Sequence, residues 1–299
     1  MEIGAKIVGA RLLAEVEGEG LVSLLSALRE LKNAADGRGF FGVGELDGLI
    51  PASNIAGQNA AIIIIDPLSH FSVHRLAEVM SSLLLTKMKE AGKAVEERLI
   101  KDMTGLVKMT LVHIHVFRPQ SWDSLLSTLK SLPDYLFSTE KHRSMNRRIH
   151  TLALEDIDTF YWSLRSSSSN ATPAAATSQT NSVQAASIRL TRHLLDLSNL
   201  LSCATILTSH SSSPTSFRPF VPTSWPQGIQ PTRLAVRRVE VLKFVPAICI
   251  EDAERERQQR WEVVQQSRFE AWKVGIGAKD GTGFVFKIAQ GIEIEKEGP

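Results

Sequence analysis

Several side chains in this sequence stand at spacings that chemistry uses. Gly37, Gly39 and Gly42 in GRGFFG match the G-x-G-x-x-G pattern that lets a backbone approach a pyrophosphate, and Asp66 ends an apolar run further on. The context argues against a dinucleotide fold. A helical pattern precedes Gly37, and Gly48, Pro51 and Gly57 leave no phosphate-capping helix, so the stretch reads as a flexible loop. A phosphate loop of the form G-x-x-x-x-G-K-[ST] is absent. The single Gly-Lys pair, Gly92-Lys93, is followed by Ala94, and Lys87 stands where the first glycine belongs. His113 and His115 alternate along an apolar stretch, which puts both on one face of a strand. No carboxylate has matching spacing, so packing or hydrogen bonding near a sheet end is expected of them. Glu155, Asp156 and Asp158 directly follow another apolar run. Carboxylates at the end of a parallel strand hold magnesium through water where a phosphate loop organises the ion. Without that loop, capping of a helix start by Asp156 or Asp158 is expected. Two basic groups could contact phosphates: Lys141, Arg143, Arg147 and Arg148 in KHRSMNRR, and Arg233, Arg237 and Arg238 with Lys243. A solvated loop or an import signal accounts for either group equally well.

The elements that must position these residues alternate in type. AAIIIID (60–66) is β-branched without alternation, the pattern of a strand buried on both faces. Helical spacing follows over Val73 to Met88. Leu111 to Phe117 reads as a strand, and Ser121 to Leu132 as a helix with Trp122, Leu125, Leu126 and Leu129 on one face, stopped by Pro133. Ile149 to Glu155 is a third strand and Cys203 to His210 a fourth. Between them, residues 166–184 are small and polar and read as a mobile loop, before Leu190, Leu194, Leu197 and Leu201 resume helical spacing. Residues 211–231 form a Ser/Pro-rich loop, TRLAVRRVEVLKF alternates as a strand, DAERERQQRWEVVQQSRFEAW reads as one charged helix, and FVFKIAQGIEIE as a hairpin. Strands alternating with helices imply an α/β fold with a mostly parallel sheet. The parts divide into an N-terminal helical segment (1–35), a core (36–210), and a C-terminal strand, helix and hairpin part of the same domain (211–299).

The 299 residues carry 34 Lys+Arg against 32 Asp+Glu, and 43% are hydrophobic. That supports a sizeable buried core and excludes collagen-like, coiled-coil and wholly disordered chains. Two distant cysteines, Cys203 and Cys249, exclude a disulfide scaffold and a Cys-rich zinc module. A net charge of +2 excludes a uniformly basic DNA binder but not a local patch. The start, MEIGAKIVGARLL, lacks the basic opening and continuous apolar core of a signal peptide, so an intracellular, reducing compartment is expected.

Taken in order, several segments resemble the RecA-like recombinase superfamily, in particular its recombinase-paralogue branch. RLLAEVEGEGLVSLLSAL is similar to the branch's helical start, and GVGELDGLI to the G-x-x-E-L-D-x-L segment that precedes the phosphate loop. IIIIDPLSHFSVHRL looks like the strand that ends in Asp. TLALEDIDTFYW resembles the Walker B strand running into a Ser-x-Ala-Phe-Tyr-Trp motif, with Phe160-Tyr161-Trp162 matching in full. The departures bear on activity. Only 12 residues separate Leu49 from Ile62, where the family places a strand, the Walker A loop and its helix. Leu68 stands at the catalytic glutamate position, Glu155 at the Walker B aspartate, and His210 where a polar sensor is expected.

The resemblance implies a RecA-like three-layer αβα core, incomplete because the phosphate-loop strand and helix are absent, with a C-terminal β-rich extension. It implies a non-catalytic paralogue in double-strand break repair by homologous recombination, located in the nucleus. Its partners would be another recombinase paralogue and single-stranded or forked DNA, with no membrane partner. No cofactor or metal is expected. Glu155 and Asp156, the degenerate Walker B position, are the candidate nucleotide contacts. Lys141, Arg143, Arg147, Arg148, Arg233, Arg237 and Arg238 are the candidate DNA contacts. Leu21, Leu24, Leu25 and Leu28 are the candidate partner interface, with capping of the core as the other use of that face. A DNA-dependent ATPase and a dinucleotide-binding oxidoreductase are the alternative functions. Loss of a central strand poses a structural question: either the neighbours close up, or another segment fills the slot, so that the exposed backbone groups are satisfied, or the sequence is a splice or gene-model variant that folds poorly.

Overall fold

β-branched side chains pack well on a pleated surface, and Ala60–Ile65 forms the first strand, β1, with Ala61, Ile63, Ile64 and Ile65 buried. The computed structural model describes residues 44–49, 60–90, 92, 97–138, 140–166, 176–211, 217–239, 249–275, 283–289 and 291–295. The chain divides into two units, residues 1–58 and 59–299. In the first, the described residues form one short helix, α1 (Gly44–Leu49), which carries the Glu45-Leu46-Asp47 segment. Gly37, Gly39 and Gly42, the leucines Leu21, Leu24, Leu25 and Leu28, and Lys243 lie outside the described residues. So do the dinucleotide and partner-interface readings built on them.

In the second unit, β1 is followed by α2 (Val73–Glu90), α3 (Glu97–Leu111), β2 (Ile114–Phe117), α4 (Trp122–Leu136) and β3 (Arg148–Leu154). A 3-10 turn (Ile157–Phe160), α5 (Tyr161–Ser166), α6 (Ala176–Leu201) and β4 (Ala204–Leu207) come next. The four strands make one parallel sheet in the order β2-β1-β3-β4. The connection from β1 runs to one side of the sheet, and those from β2 and β3 to the other. With right-handed crossovers, α2–α3 and α4–α6 therefore cover opposite faces. This is a mixed α/β arrangement compatible with three αβα layers. β3 pairs directly with β1 on one side and β4 on the other, Thr151 to Leu154 against Ala204 to Leu207.

The main core joins Ile63 and Ile65 of β1, Leu152 and Leu154 of β3, Trp122, Leu125, Leu126, Leu129 and Leu132 of α4, and Leu190, Leu194, Leu197 and Leu201 of α6. The helical spacings read from the sequence thus face inward. Three boundaries differ from expectation. α4 runs through Pro133 to Leu136, because proline removes one amide while Leu132 and Leu136 both bury on the core face. Residues 176–184, expected as loop, are the first turns of α6, where Val183 packs into the core. The stretch Leu111 to Phe117 splits between the end of α3 and β2, with the His113 amide closing a turn on the Thr110 carbonyl.

Further along the chain come β5 (Arg233–Arg238), α7 (Ile250–Gln265), β6 (Arg268–Val274), β7 (Gly283–Ile288) and β8 (Ile292–Glu295), and the four strands form an antiparallel sheet in sequence order. The charged helix therefore stops at Gln265, and RFEAWKV is a strand. Ser267 turns the chain at φ 47°, and β6 is then held on both sides, by β5 and β7. The closing hairpin forms as expected. Arg75 of α2 donates to the Ala289 carbonyl in the β7–β8 turn, tying this sheet to the helical layer. Among the described residues no helix is long and apolar enough to cross a membrane.

Candidate functional site

The strand order reverses between β1 and β3, and in open α/β sheets the crevice beyond the carboxyl ends at such a point is where ligands bind. The three strand ends there are in register. The Asp66 amide donates to the Phe117 carbonyl at 2.8 Å, Glu155 to Ile65 at 2.8 Å, and Thr208 to Leu154 at 2.9 Å. The side chains just past these ends converge.

Asp66 is fully buried and both its oxygens are engaged. Oδ1 accepts from the His70 amide at 2.9 Å, Oδ2 accepts from the Phe71 amide at 3.1 Å, and Arg118 Nε lies 3.7 Å from Oδ2. A buried carboxylate persists only when so satisfied, and here it folds the turn after β1. That turn presents His70, whose Nδ1 lies 2.8 Å from Asp156 Oδ2. Asp156 sits in the left-handed region, φ 45° and ψ 50°, a conformation aspartate tolerates better than most residues. Its amide donates to Thr208 Oγ1 at 2.9 Å, and its side chain does not cap the following turn. The expected capping role therefore fails for Asp156, because its carboxylate is drawn to imidazoles. Asp158, in the first turn, accepts from the His210 amide at 3.2 Å. His210 Nδ1 then stands 3.5 Å from Asp156 Oδ1 and 3.6 Å from Asp158 Oδ2. Among the described residues, Asp156, Asp158 and His210 are the group whose ligand atoms all lie within 4.8 Å of one another.

Glu155 is beside this group but outside it. Burial, and then the negative charges of Asp66 and Asp156, raise its carboxyl above the ordinary carboxylate range, while His70 opposes the shift. Of the two residues expected at a degenerate nucleotide position, Asp156 joins the cluster and Glu155 does not. His70 was not singled out by the sequence. Its signal was its place four residues past the strand-ending Asp66.

The basic candidates lie elsewhere. Arg148 begins β3, and Lys141, Arg143 and Arg147 precede it, so this group is at the amino end of the sheet. β3 spans seven residues, roughly 20 Å, between them and the carboxylates. One small ligand cannot touch both. Of the second group, Arg233 and Arg237 share a face of β5 and Arg238 takes the other. Arg237 pairs with Glu270 and lies over Trp272, and Arg238 lies over Phe269. A further basic group escaped the sequence reading. Lys130 of α4 and Arg189, Arg192 and His193 of α6 line a shallow groove of about 480 Å³. Burial and the neighbouring Lys130, Arg189 and Arg192 charges lower the His193 pKa, against the pull of Asp196.

His113 and His115 do share a face, as their spacing implies, and both reach one hydroxyl. His113 Nδ1 lies 2.8 Å and His115 Nε2 2.9 Å from Ser144 Oγ. His115 Nδ1 also meets Tyr135 Oη at 3.0 Å, and His142 contacts the Tyr135 and Leu136 carbonyls. This network holds the loop before β3 against β2 and α4.

Fold and site together define an α/β protein with a parallel sheet whose carboxyl edge gathers carboxylates and imidazoles. No protein-family model matches the chain, and no curated protein matches it.

Proposed function

We propose that this chain is a non-catalytic recombinase paralogue of the X-ray repair cross-complementing protein two type, acting in homologous recombination as a subunit of a nuclear paralogue complex. The observation that most supports the reading is that the segments resembling the family's strands form one parallel sheet, in the order β2-β1-β3-β4. The strand that resembles Walker B runs into the Phe160-Tyr161-Trp162 triplet, where Phe160 buries against Trp122 and Trp162 remains exposed. Phosphoryl transfer is positioning plus charge stabilisation. The sequence supplies no cradle lysine and no Ser/Thr hydroxyl for magnesium, and Leu68 stands where the family has its catalytic glutamate.

The work left to such a subunit is to bind a partner and to support DNA contact through local basic groups. Co-expression with a recombinase paralogue and affinity capture of the pair tests this. A stoichiometric complex that survives salt washing, and no ATP hydrolysis by the chain alone, are expected. Failure of every recombinase paralogue to co-purify overturns the reading, and measurable ATP turnover by the purified chain favours the ATPase instead.

A further inference from the structure

We propose that Asp156, Asp158 and His210 form a binding site for a divalent transition-metal ion, zinc being the ion the donor set fits, with His70 as the residue that positions Asp156. The site goes beyond the recombination reading and stands whether or not that reading holds.

Each carboxylate commits one oxygen to a bond that fixes the group and turns the other toward the same imidazole nitrogen. Asp156 Oδ2 is held by His70 at 2.8 Å, and Asp158 Oδ1 by the His210 amide at 3.2 Å. The remaining oxygens face His210 Nδ1 at 3.5 and 3.6 Å. Those separations are beyond an N–H···O hydrogen bond. Metal–ligand bonds of zinc length set neighbouring donors of a tetrahedron about 3.3–3.6 Å apart, and the two nitrogen–oxygen separations fall there, with the ligand atoms all within 4.8 Å of one another. The hydrogen bond from His70 to a prospective ligand carboxylate is the outer contact that metal sites use to orient their ligands.

Burial and charge point the same way. The Asp156 and Asp158 side chains are 15% and 12% exposed, while His210 is 73% exposed and leaves an approach from solvent. Asp66 and Glu155 add carboxyl groups at the same edge, with Arg118 as the near cation to Asp66. A divalent ion would offset that concentration of negative charge. One nitrogen and two oxygens suit zinc and its neighbours, whereas magnesium and calcium prefer sets made wholly of oxygen. Three protein ligands leave a fourth position open to water. Of the two residues the resemblance assigns to the degenerate nucleotide position, Asp156 is a ligand here and Glu155 is not.

The full chain, stripped with chelator, is titrated with zinc against a chromophoric competitor, and with cobalt to read coordination from visible absorption. One equivalent and the intense bands of a four-coordinate cobalt complex are expected. His210→Ala, at an exposed side chain, and Asp158→Asn should each abolish the bands. Asp156→Asn, which keeps a residue tolerant of the left-handed backbone, should do the same. His70→Ala should weaken zinc by about tenfold to a hundredfold while keeping the stoichiometry. Cys249→Ser and His74→Ala, at exposed positions outside the cluster, should change nothing. Absence of zinc binding, binding unchanged in His210→Ala with an intact circular dichroism spectrum, or loss of binding in Cys249→Ser overturns the proposal. The assay contains neither partner nor DNA, so its failure is separate from failure of the recombination reading.

Discussion

His115 sits between the Ser144 hydroxyl, the Tyr135 phenol and the His142 ring, and its side chain is buried. Burial first, and then the His142 and His113 charges, push its pKa down from 6.5 to about 4. Above pH 6.5 the ring is neutral in both folded and unfolded chains, and the network contributes in full. Between pH 6.5 and 4 the unfolded chain takes up a proton that the folded one refuses, so stability falls as pH falls. Each pH unit in that window is worth about 1.4 kcal/mol for one such group, and a total loss of roughly 2–3 kcal/mol by pH 4 is expected. Thermal melts from pH 7.5 to 4.5 should show Tm dropping, and His115→Gln should melt lower at pH 7.5 but with a flatter pH dependence. A parallel slope in that variant would assign the effect to other groups. The shared face of His113 and His115 was legible because strand periodicity is strictly two. The hydroxyl they share, Ser144, was not legible, since it arrives from a loop 29 residues beyond His115.

At the scale of elements, periodicity located the buried faces and chain punctuation misplaced several ends. The α4 leucines and the 4-3-4 run of α6 faced the core as read, yet Pro133 did not stop α4. Its effect is confined to one amide, and the helix closes a turn later with the Phe137 amide on the Pro133 carbonyl at 3.0 Å. The small polar residues 176–184 gave no apolar signal strong enough to announce a helix, although Val183 and Ala186 anchor it. β6 was hidden for a different reason. RFEAWKV carries three charged residues, and its strand state comes from neighbours on both sides. That pairing is tight at Gly283, opposite Trp272, where a Cβ would fall 2.6 Å from the Ala271 carbonyl oxygen. Backbone cannot yield as a side chain can, so Gly283→Ala is expected to destabilise by about 1–3 kcal/mol, the usual range for overpacking. Urea unfolding of the variant checks this. A midpoint equal to that of the parent would mean that β6 and β7 can separate slightly at no loss.

Across the whole molecule, the near-zero net charge conceals a polarity along the sheet. The carboxyl edge gathers Asp66, Glu155, Asp156 and Asp158, while Lys141, Arg143, Arg147 and Arg148 cluster at the amino end of β3. The parallel class was legible because AAIIII lacked alternation and helical patterns followed the strands. The meeting of His210 with Asp158 was not, since 52 residues separate them and only the pairing of β3 with β4 brings them together. The polarity assigns DNA contact, under the proposed function, to the amino end. Single-stranded DNA binding loses affinity with salt in proportion to the phosphates neutralised, with a slope of about 0.7 per contact. Charge reversal of Lys141, Arg143 and Arg147 together should therefore lower affinity and reduce the slope of log K against log salt by about 2. Asp158→Asn should leave that slope unchanged. Fluorescence anisotropy of a labelled oligonucleotide across a salt series reads both. If the triple variant keeps the parent slope, the contact lies elsewhere. Charge reversal of Lys130, Arg189 and Arg192 in the α4–α6 groove then becomes the discriminating variant, because Lys130 meets the two arginines there although more than fifty residues of sequence separate it from them.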